Sequence, residues 1–195
     1  MQLTRRARGE AGFSMIEVLV SLMLLVFGLL GLVGLQARAQ VAELESYQRA
    51  QALILVQDMV ARVNANRKTV GCYVTTTPLG TGYSGTPTCT AGSGTSATRA
   101  IADLDLAAWN DALLGASETT SSGTTKVGSI VGARGCVTYN ATTGLYRVAV
   151  AWQGMATTIS PASTDSLATC GQNLYGTSDA LRREVGQYVR IASLS

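Results

Sequence analysis

The sequence contains no histidine and little proline, aromatic residue or charge. Of its 195 residues, 3 are proline, 6% are aromatic and 14% are charged, whereas charged residues make up about 25% of ordinary soluble domains. Histidine is the commonest general base and a frequent metal ligand, so its absence argues against acid–base catalysis and the common zinc sites. The sequence also lacks a glycine-rich phosphate-binding loop and a pair of carboxylates at a spacing that indicates catalysis. We therefore expect that the protein is not an enzyme and that it has no catalytic residue, no cofactor and no metal.

The basic residues are too dispersed along the chain to predict a nucleic-acid site. The net charge is +3, and residues 5–10 contribute +2 of it, which leaves +1 (3 − 2) for the rest. A nucleic-acid-binding face needs clustered cations. The cations of the later sequence are instead scattered: Arg99, Lys126, Arg134, Arg147 and Arg190. Arg182 and Arg183 are adjacent, and we interpret them as solvated, like Asp103 and Asp105. No nucleic-acid partner is expected.

One long apolar run dominates the amino-terminal part of the sequence. Residues 18–37 carry no charge and would span roughly 30 Å as a helix, the thickness of the hydrocarbon core of a bilayer. The run is longer than the core of a secretory signal peptide, which has about 7 to 15 residues. A plain membrane anchor would not explain Glu17, because a carboxylate at the bilayer centre costs about 2.5 to 3.5 kcal/mol and is retained for function.

The residues at the start of this run carry a family resemblance. The motif Gly-Phe-Ser-Met-Ile-Glu occupies residues 12–17 and follows Arg5, Arg6 and Arg8. It resembles the class III signal of type IV prepilins. Three later segments are similar to the PilV-type minor pilins, also called type IV pilus modification proteins: residues 50–66, 107–113 and 146–154.

This resemblance implies processing, assembly and a set of partners. Prepilin peptidase would cut after Gly12 and methylate the new amino terminus at Phe13. Glu17 would pair with the terminal amine of a neighbouring subunit, since a buried carboxylate and a buried ammonium are each costly alone. The implied partners are prepilin peptidase, the inner membrane, and other minor pilins and the major pilin, which the N-terminal helix would contact.

Charge and cysteine positions predict the topology and two disulfides. Three arginines precede the apolar run and only Arg38 lies in the ten residues after it, so the positive-inside rule keeps the amino terminus in the cytoplasm. We expect a single-pass inner-membrane protein with a periplasmic head, placed later in a pilus at the cell surface. Disulfides persist on that side. Four cysteines allow three pairings, and the loop lengths favour Cys72 with Cys89 and Cys136 with Cys170.

The resemblance implies an α+β fold of the type IV pilin kind, and the sequence pattern agrees with it in predicting a long N-terminal helix that packs on a small antiparallel sheet. We expect a leader at 1–12, a helix at 13–66 that spans the membrane to about residue 37, and a disulfide-stapled head at 67–195. Beyond the membrane, apolar residues at helical spacing predict the face that packs on the head: Val41, Leu44, Ala52, Leu55, Met59 and Val63.

Shorter elements are expected within the head. The stretch 75–98 is predicted to be a surface loop, residues 101–114 a short helix that buries Trp109, and residues 187–192 the last of about four strands. A hairpin with its turn at 140–144 is the clearest strand signal. Four alternate residues should share one face of its second strand: Tyr146, Val148, Val150 and Trp152.

These observations favour a minor pilin that takes part in initiation or assembly of a type IV pilus. A minor pseudopilin of a type II secretion system would share the leader and the helix. A membrane-anchored adhesin or DNA-binding module is a third hypothesis, from a different functional class.

Overall fold

The computed structural model describes residues 12–89, 94–115, 126, 130–160 and 167–192. The chain divides into two compact units, Met1–Glu43 and Leu44–Ser195. The first helix, α1, runs from Met15 to Ala65 and contributes residues to both units. Below, its N-terminal half means residues 15–43 and its C-terminal half residues 44–65.

The N-terminal half of α1 is long and apolar enough to cross a membrane. Every one of its side chains is exposed, including large apolar ones such as Leu24 and Phe27, which are 68% and 58% exposed. Side chains of this kind are stable only when a bilayer or another apolar surface covers them. This half of the helix is therefore built for an environment that the chain itself does not supply.

The C-terminal half of α1 buries one face. Burial recurs every three or four residues, as expected for one side of an α-helix: Gln48, Ala52, Val56, Met59 and Val63. The predicted stripe was correct at Ala52, Met59 and Val63. It was wrong at Val41 and Leu44, which are 38% and 50% exposed, because the buried face of α1 begins only at Gln48. Val56, not Leu55, occupies the central position on that face.

The second helix, α2, spans Ser96–Leu113 and begins five residues before its predicted start. The earlier start has a local cause, because the side chain of Thr95 accepts a hydrogen bond from the backbone N–H of Thr98 and forms a capping box with it. Trp109 of α2 is fully buried, and its indole N–H donates to the carbonyl of Leu55 at 2.9 Å. The prediction that Trp109 belongs to the core is confirmed.

Four strands form one antiparallel sheet in the order β1-β2-β3-β4. They are β1 (Leu79–Gly80), β2 (Arg134–Asn140), β3 (Leu145–Gln153) and β4 (Arg182–Val189). The predicted α+β architecture, a long helix with a small four-stranded antiparallel sheet, is confirmed. Two expectations were wrong: β1 lies inside the predicted surface loop, and β4 starts at Arg182 and ends before residue 190. Charged residues at the start of β4 concealed it from an apolar alternation pattern.

The predicted hairpin is β2 and β3, with Val137 opposite Val148 in the register. Its turn is set by Asn140, whose side-chain oxygen accepts hydrogen bonds from the backbone N–H groups of Thr142 and Thr143. Gly144 has φ +68°, a left-handed conformation that glycine adopts without strain. Val148, Val150 and Trp152 of β3 lie in the same buried cluster as Ala52 and Met59 of α1, so the helix and the sheet share one core.

The pair Arg182 and Arg183 is not solvated as predicted. Arg182 is 1% exposed and donates to Glu184 at 2.8 Å and to the carbonyl of Cys170 at 3.1 Å. Arg147 of β3 is also buried and pairs with the other oxygen of Glu184. Buried charges are tolerated only when they are paired and hydrogen-bonded. These paired charges therefore link β3, β4 and the segment before β4.

The two aspartates of α2 are not simply solvated either. Asp105 accepts hydrogen bonds from the guanidinium of Arg62 at 2.9 Å and from the hydroxyl of Tyr73, and Asp103 accepts from the backbone N–H of Cys89. Burial raises the pKa of Tyr73, and its hydrogen bond to Asp105 raises it further. Both carboxylates therefore connect α2 to its neighbours in the head.

Candidate assembly site

The predicted processing step lies just before α1. Gly12, Phe13 and Ser14 precede the first helical residue, and Phe13 is 83% exposed. A Cβ atom added at Gly12 would meet no other atom within 4 Å. Among the described residues, the step between Gly12 and Phe13 is therefore open to an enzyme, and none of them packs where a side chain at residue 12 would lie.

Glu17 lies in the first turn of α1, four residues after Phe13. Its backbone N–H donates to the carbonyl of Ser14 at 3.0 Å, and its own carbonyl accepts from the hydroxyl of Ser21 at 2.7 Å. Its carboxylate has no hydrogen bond or ion pair with any residue that the structure describes. A carboxylate at a helix N-terminus is favoured by the helix dipole by about 0.3 to 1 kcal/mol, which is small against the cost of burying it alone in an apolar medium.

Apolar side chains surround this carboxylate. A concavity of about 410 Å³ lies along the same face of the helix, lined by Phe13, Glu17, Val18, Ser21, Leu22 and Leu25. Glu17 and Ser21 are its only polar side chains among the described residues. The arrangement presents one negative charge within an apolar surface, and such a surface selects a partner that brings one positive charge with apolar surroundings.

The four cysteines are joined in two pairs in the head. Cys72 is bonded to Cys89 and Cys136 to Cys170, with sequence separations of 17 and 34 residues. The first bond ties the 3-10 helix Arg67–Tyr73 to the segment that precedes α2. The second ties β2 to the segment that precedes β4. Within the described part of the chain, no cluster of three or more cysteine or carboxylate side chains is placed to hold a metal ion.

Sequence reasoning missed one contact that joins the C-terminal half of α1 to the rest of the head. Glu45 accepts hydrogen bonds from the backbone N–H groups of Met155 and Ala156 at 3.0 and 3.4 Å, and from the guanidinium of Arg183 at 3.2 Å. The partners are more than 100 residues away along the chain, and nothing in the local pattern around Glu45 distinguishes it from a solvated helix residue. Only the tertiary fold brings these groups together.

A family model described as Type IV pilin Tt1218 matches residues 34–107. The chain resembles the type IV pilins. The match extends from the end of the apolar run through the rest of α1 to α2, and it includes Cys72 and Cys89. Together with the α+β architecture, it confirms the predicted resemblance to the type IV pilin superfamily and its fold class. The motif at residues 12–17 lies outside the matched stretch. No curated protein and no solved structure matches this pilin-like chain.

Proposed function

We propose that this chain is a minor pilin, a subunit that takes part in initiating or assembling a type IV pilus. Prepilin peptidase cuts it after Gly12 on the cytoplasmic side and methylates Phe13. Before assembly the subunit stays in the inner membrane with its head in the periplasm. It then joins other minor pilins and the major pilin through α1. Its work is assembly, not catalysis.

The observation that carries this proposal is the contrast between the carboxylate of Glu17 and the apolar side chains around it. The N-terminal half of α1 is exposed throughout, and the only acidic side chain between residues 12 and 42 has no partner in the described chain. A bilayer alone would satisfy the apolar side chains and would penalise the carboxylate. A bundle of identical or similar helices satisfies both, because the methylated amine at Phe13 of one subunit neutralises Glu17 of the next.

The exported position of the head agrees with its cysteines. Small exported domains gain about 2 to 4 kcal/mol from each disulfide, because the bond restricts the unfolded chain. The bonds Cys72–Cys89 and Cys136–Cys170 form in the periplasm under this proposal. The arginines before the apolar run hold the amino terminus on the other side of the membrane.

Deletion of this protein tests the proposal. Surface pili are counted by electron microscopy, and protein secretion is assayed in the same strain. We expect pili to become rare while secretion stays normal, and a copy of the intact chain should restore the pili. Loss of secretion with normal piliation would contradict the proposal and assign the chain to a secretion pseudopilus. Normal piliation with loss of surface attachment would contradict it in favour of an adhesin.

A further inference from the structure

The head carries a groove of about 960 Å³ beside the turn of the β2–β3 hairpin. The 3-10 helix Arg67–Tyr73 forms one side, the hairpin forms another, and the residues after β4 complete it. Its chemical character comes from three cations, two tyrosines and an apolar floor: Arg67, Lys68, Arg190, Tyr139, Tyr146 and Val70. All of them belong to the same compact unit.

Cationic side chains that are far apart in the sequence lie together at this groove. Arg67 and Lys68 are adjacent in the sequence, and Arg190, one of the cations expected to be scattered, lines the same groove although it lies more than a hundred residues later. All three side chains are exposed. Arg67 donates to the carbonyl of Asn64 at 3.3 Å and Arg190 to the carbonyl of Thr143 at 3.4 Å. No carboxylate side chain is present among the described lining residues, so the described lining of the groove is positively charged.

Two aromatic rings lie next to these cations. Tyr139 and Tyr146 are opposite each other in the register of β2 and β3, and their ring centroids are 4.5 Å apart with planes inclined by 32°. Tyr139 is 44% exposed. Burial raises the pKa of Tyr146, and the neighbouring Tyr139 raises it further, so its hydroxyl carries no charge at neutral pH. The pair provides an uncharged aromatic platform beside a cationic rim.

We infer that this groove binds single-stranded nucleic acid, with phosphates at Arg67, Lys68 and Arg190 and a base stacked on Tyr139. Proteins that hold single strands combine a positive groove along the backbone with aromatic side chains on which bases stack. A duplex fits less well, because its bases are already stacked within it and cannot reach the ring. The inference concerns the head alone and goes beyond assembly, since a subunit that failed to enter a pilus would still present this groove.

Binding is tested on the full-length chain in neutral detergent, by fluorescence anisotropy with a labelled oligothymidine of about 20 nucleotides. Each phosphate contact with a single strand contributes about −0.7 to the slope of log K against log salt concentration. Replacing Arg67 and Lys68 by glutamine should therefore make the slope shallower by about 1.4. The matched control replaces Arg49 and Lys126, two exposed cations outside the groove, by glutamine and should keep the wild-type slope.

Stacking is tested separately at Tyr139. Tyr139→Leu should weaken binding about fivefold or more, because stacking of one base on an aromatic ring is worth that much. Tyr139→Phe keeps the ring and should bind like the wild type. A strand of abasic sites keeps the phosphates and should lose the same factor. Thermal unfolding of each variant shows that the fold is retained.

Three results would overturn the inference. The first is the absence of saturable binding at about 50 mM salt, where phosphate contacts are strong. The second is binding that the groove variants leave unchanged. The third is an abasic strand or heparin that binds as tightly as oligothymidine and is insensitive to Tyr139→Leu, because the ligand would then be a polyanion recognised by charge alone. A duplex that binds as tightly as the single strand would contradict the stacking role in the same way.

Discussion

Both halves of α1 carry many large apolar side chains, and they differ in what covers those side chains. In the C-terminal half, Ala52, Val56 and Met59 are at most 1% exposed because α2 and the sheet pack on them. In the N-terminal half, no described side chain is buried. Apolar side chains therefore show that a helix surface needs a cover, and they do not specify whether the cover is the same chain, a bilayer or another subunit. Under the proposed function, the single carboxylate of Glu17 favours another subunit over a bilayer alone.

Blocking the processing step should have the largest effect. Gly12→Val should abolish leader cleavage, because a β-branched side chain cannot adopt the backbone conformations that glycine allows at a protease site. We expect the fold to tolerate the change, since no atom of the described residues lies within 4 Å of the added Cβ. Intact-mass measurement of the membrane-bound protein checks the prediction. Gly9→Val, in the leader but away from the cut, should be cleaved normally. A mature terminus other than Phe13 would contradict the predicted step.

A large-to-small substitution in the core should destabilise the head and leave the N-terminal half of α1 unaffected. Trp109→Ala should lower the free energy of unfolding of the head by about 3 to 5 kcal/mol, because it leaves a cavity and removes the hydrogen bond to Leu55. Leu104→Ala on the same helix, where the side chain is 71% exposed, should change it by less than about 0.5 kcal/mol. Denaturant unfolding measures both, and leader cleavage should proceed in both. Equal losses in the two variants would be incompatible with the described core.

The disulfides should matter for the head to a somewhat smaller degree. Replacing Cys136 and Cys170 together by serine should lower its stability by about 2 to 5 kcal/mol. Chemical reduction of the wild type should cause a loss at least as large, because it also opens Cys72–Cys89. Peptide mapping without reductant should recover Cys72 with Cys89 and Cys136 with Cys170. Free thiols or a crossed pairing in the native protein would show that this pairing is wrong.

The smallest expected effect is a loss of head stability in alkaline solution. The pKa of Tyr73 is raised above its ordinary value of 10.0 in the folded head, so the unfolded chain releases this proton first as the pH rises. The contribution is fully present below about pH 10 and is lost as the pH rises toward the folded pKa, by at most about 1.4 kcal/mol per pH unit. Denaturant unfolding between neutral and alkaline pH measures the slope. Tyr73→Phe should flatten it, and Tyr188→Phe, at an exposed ring, should not.

Local pattern was sufficient for much of the fold. The uncharged run, the hairpin turn at Asn140 and Gly144, and the core position of Trp109 follow from residues close together in the chain, and the structure contains all three. The start of β4 did not follow. Arg182 and Glu184 look like surface residues in sequence, and they are buried only because Arg147 of the neighbouring strand shares Glu184 with Arg182.

The two candidate sites of the molecule also differ in whether the local sequence predicts them. The residues that line the concavity at Glu17 all lie between Phe13 and Leu25, a little over three helical turns, so a local stretch of sequence encodes it. The cationic groove joins Arg67, Tyr139 and Arg190, which are separated by more than fifty residues at each step. Their proximity depends on the sheet register and on the packing of the 3-10 helix, which no local sequence pattern encodes.

The proposed role of Glu17 in assembly is tested most directly by replacing its carboxylate with an apolar side chain. Glu17→Leu makes the membrane helix more apolar, so membrane level and leader cleavage should both stay at wild-type values. Incorporation into pili should fall by about tenfold or more, since an ion pair worth about 1.4 kcal/mol or more is lost at each subunit contact. Ile16→Leu, a neighbouring apolar exchange, should be incorporated normally. All three quantities are measured in one strain by immunoblotting of membranes and of sheared pili. Full incorporation of Glu17→Leu, or collapse of its membrane level, would contradict the account.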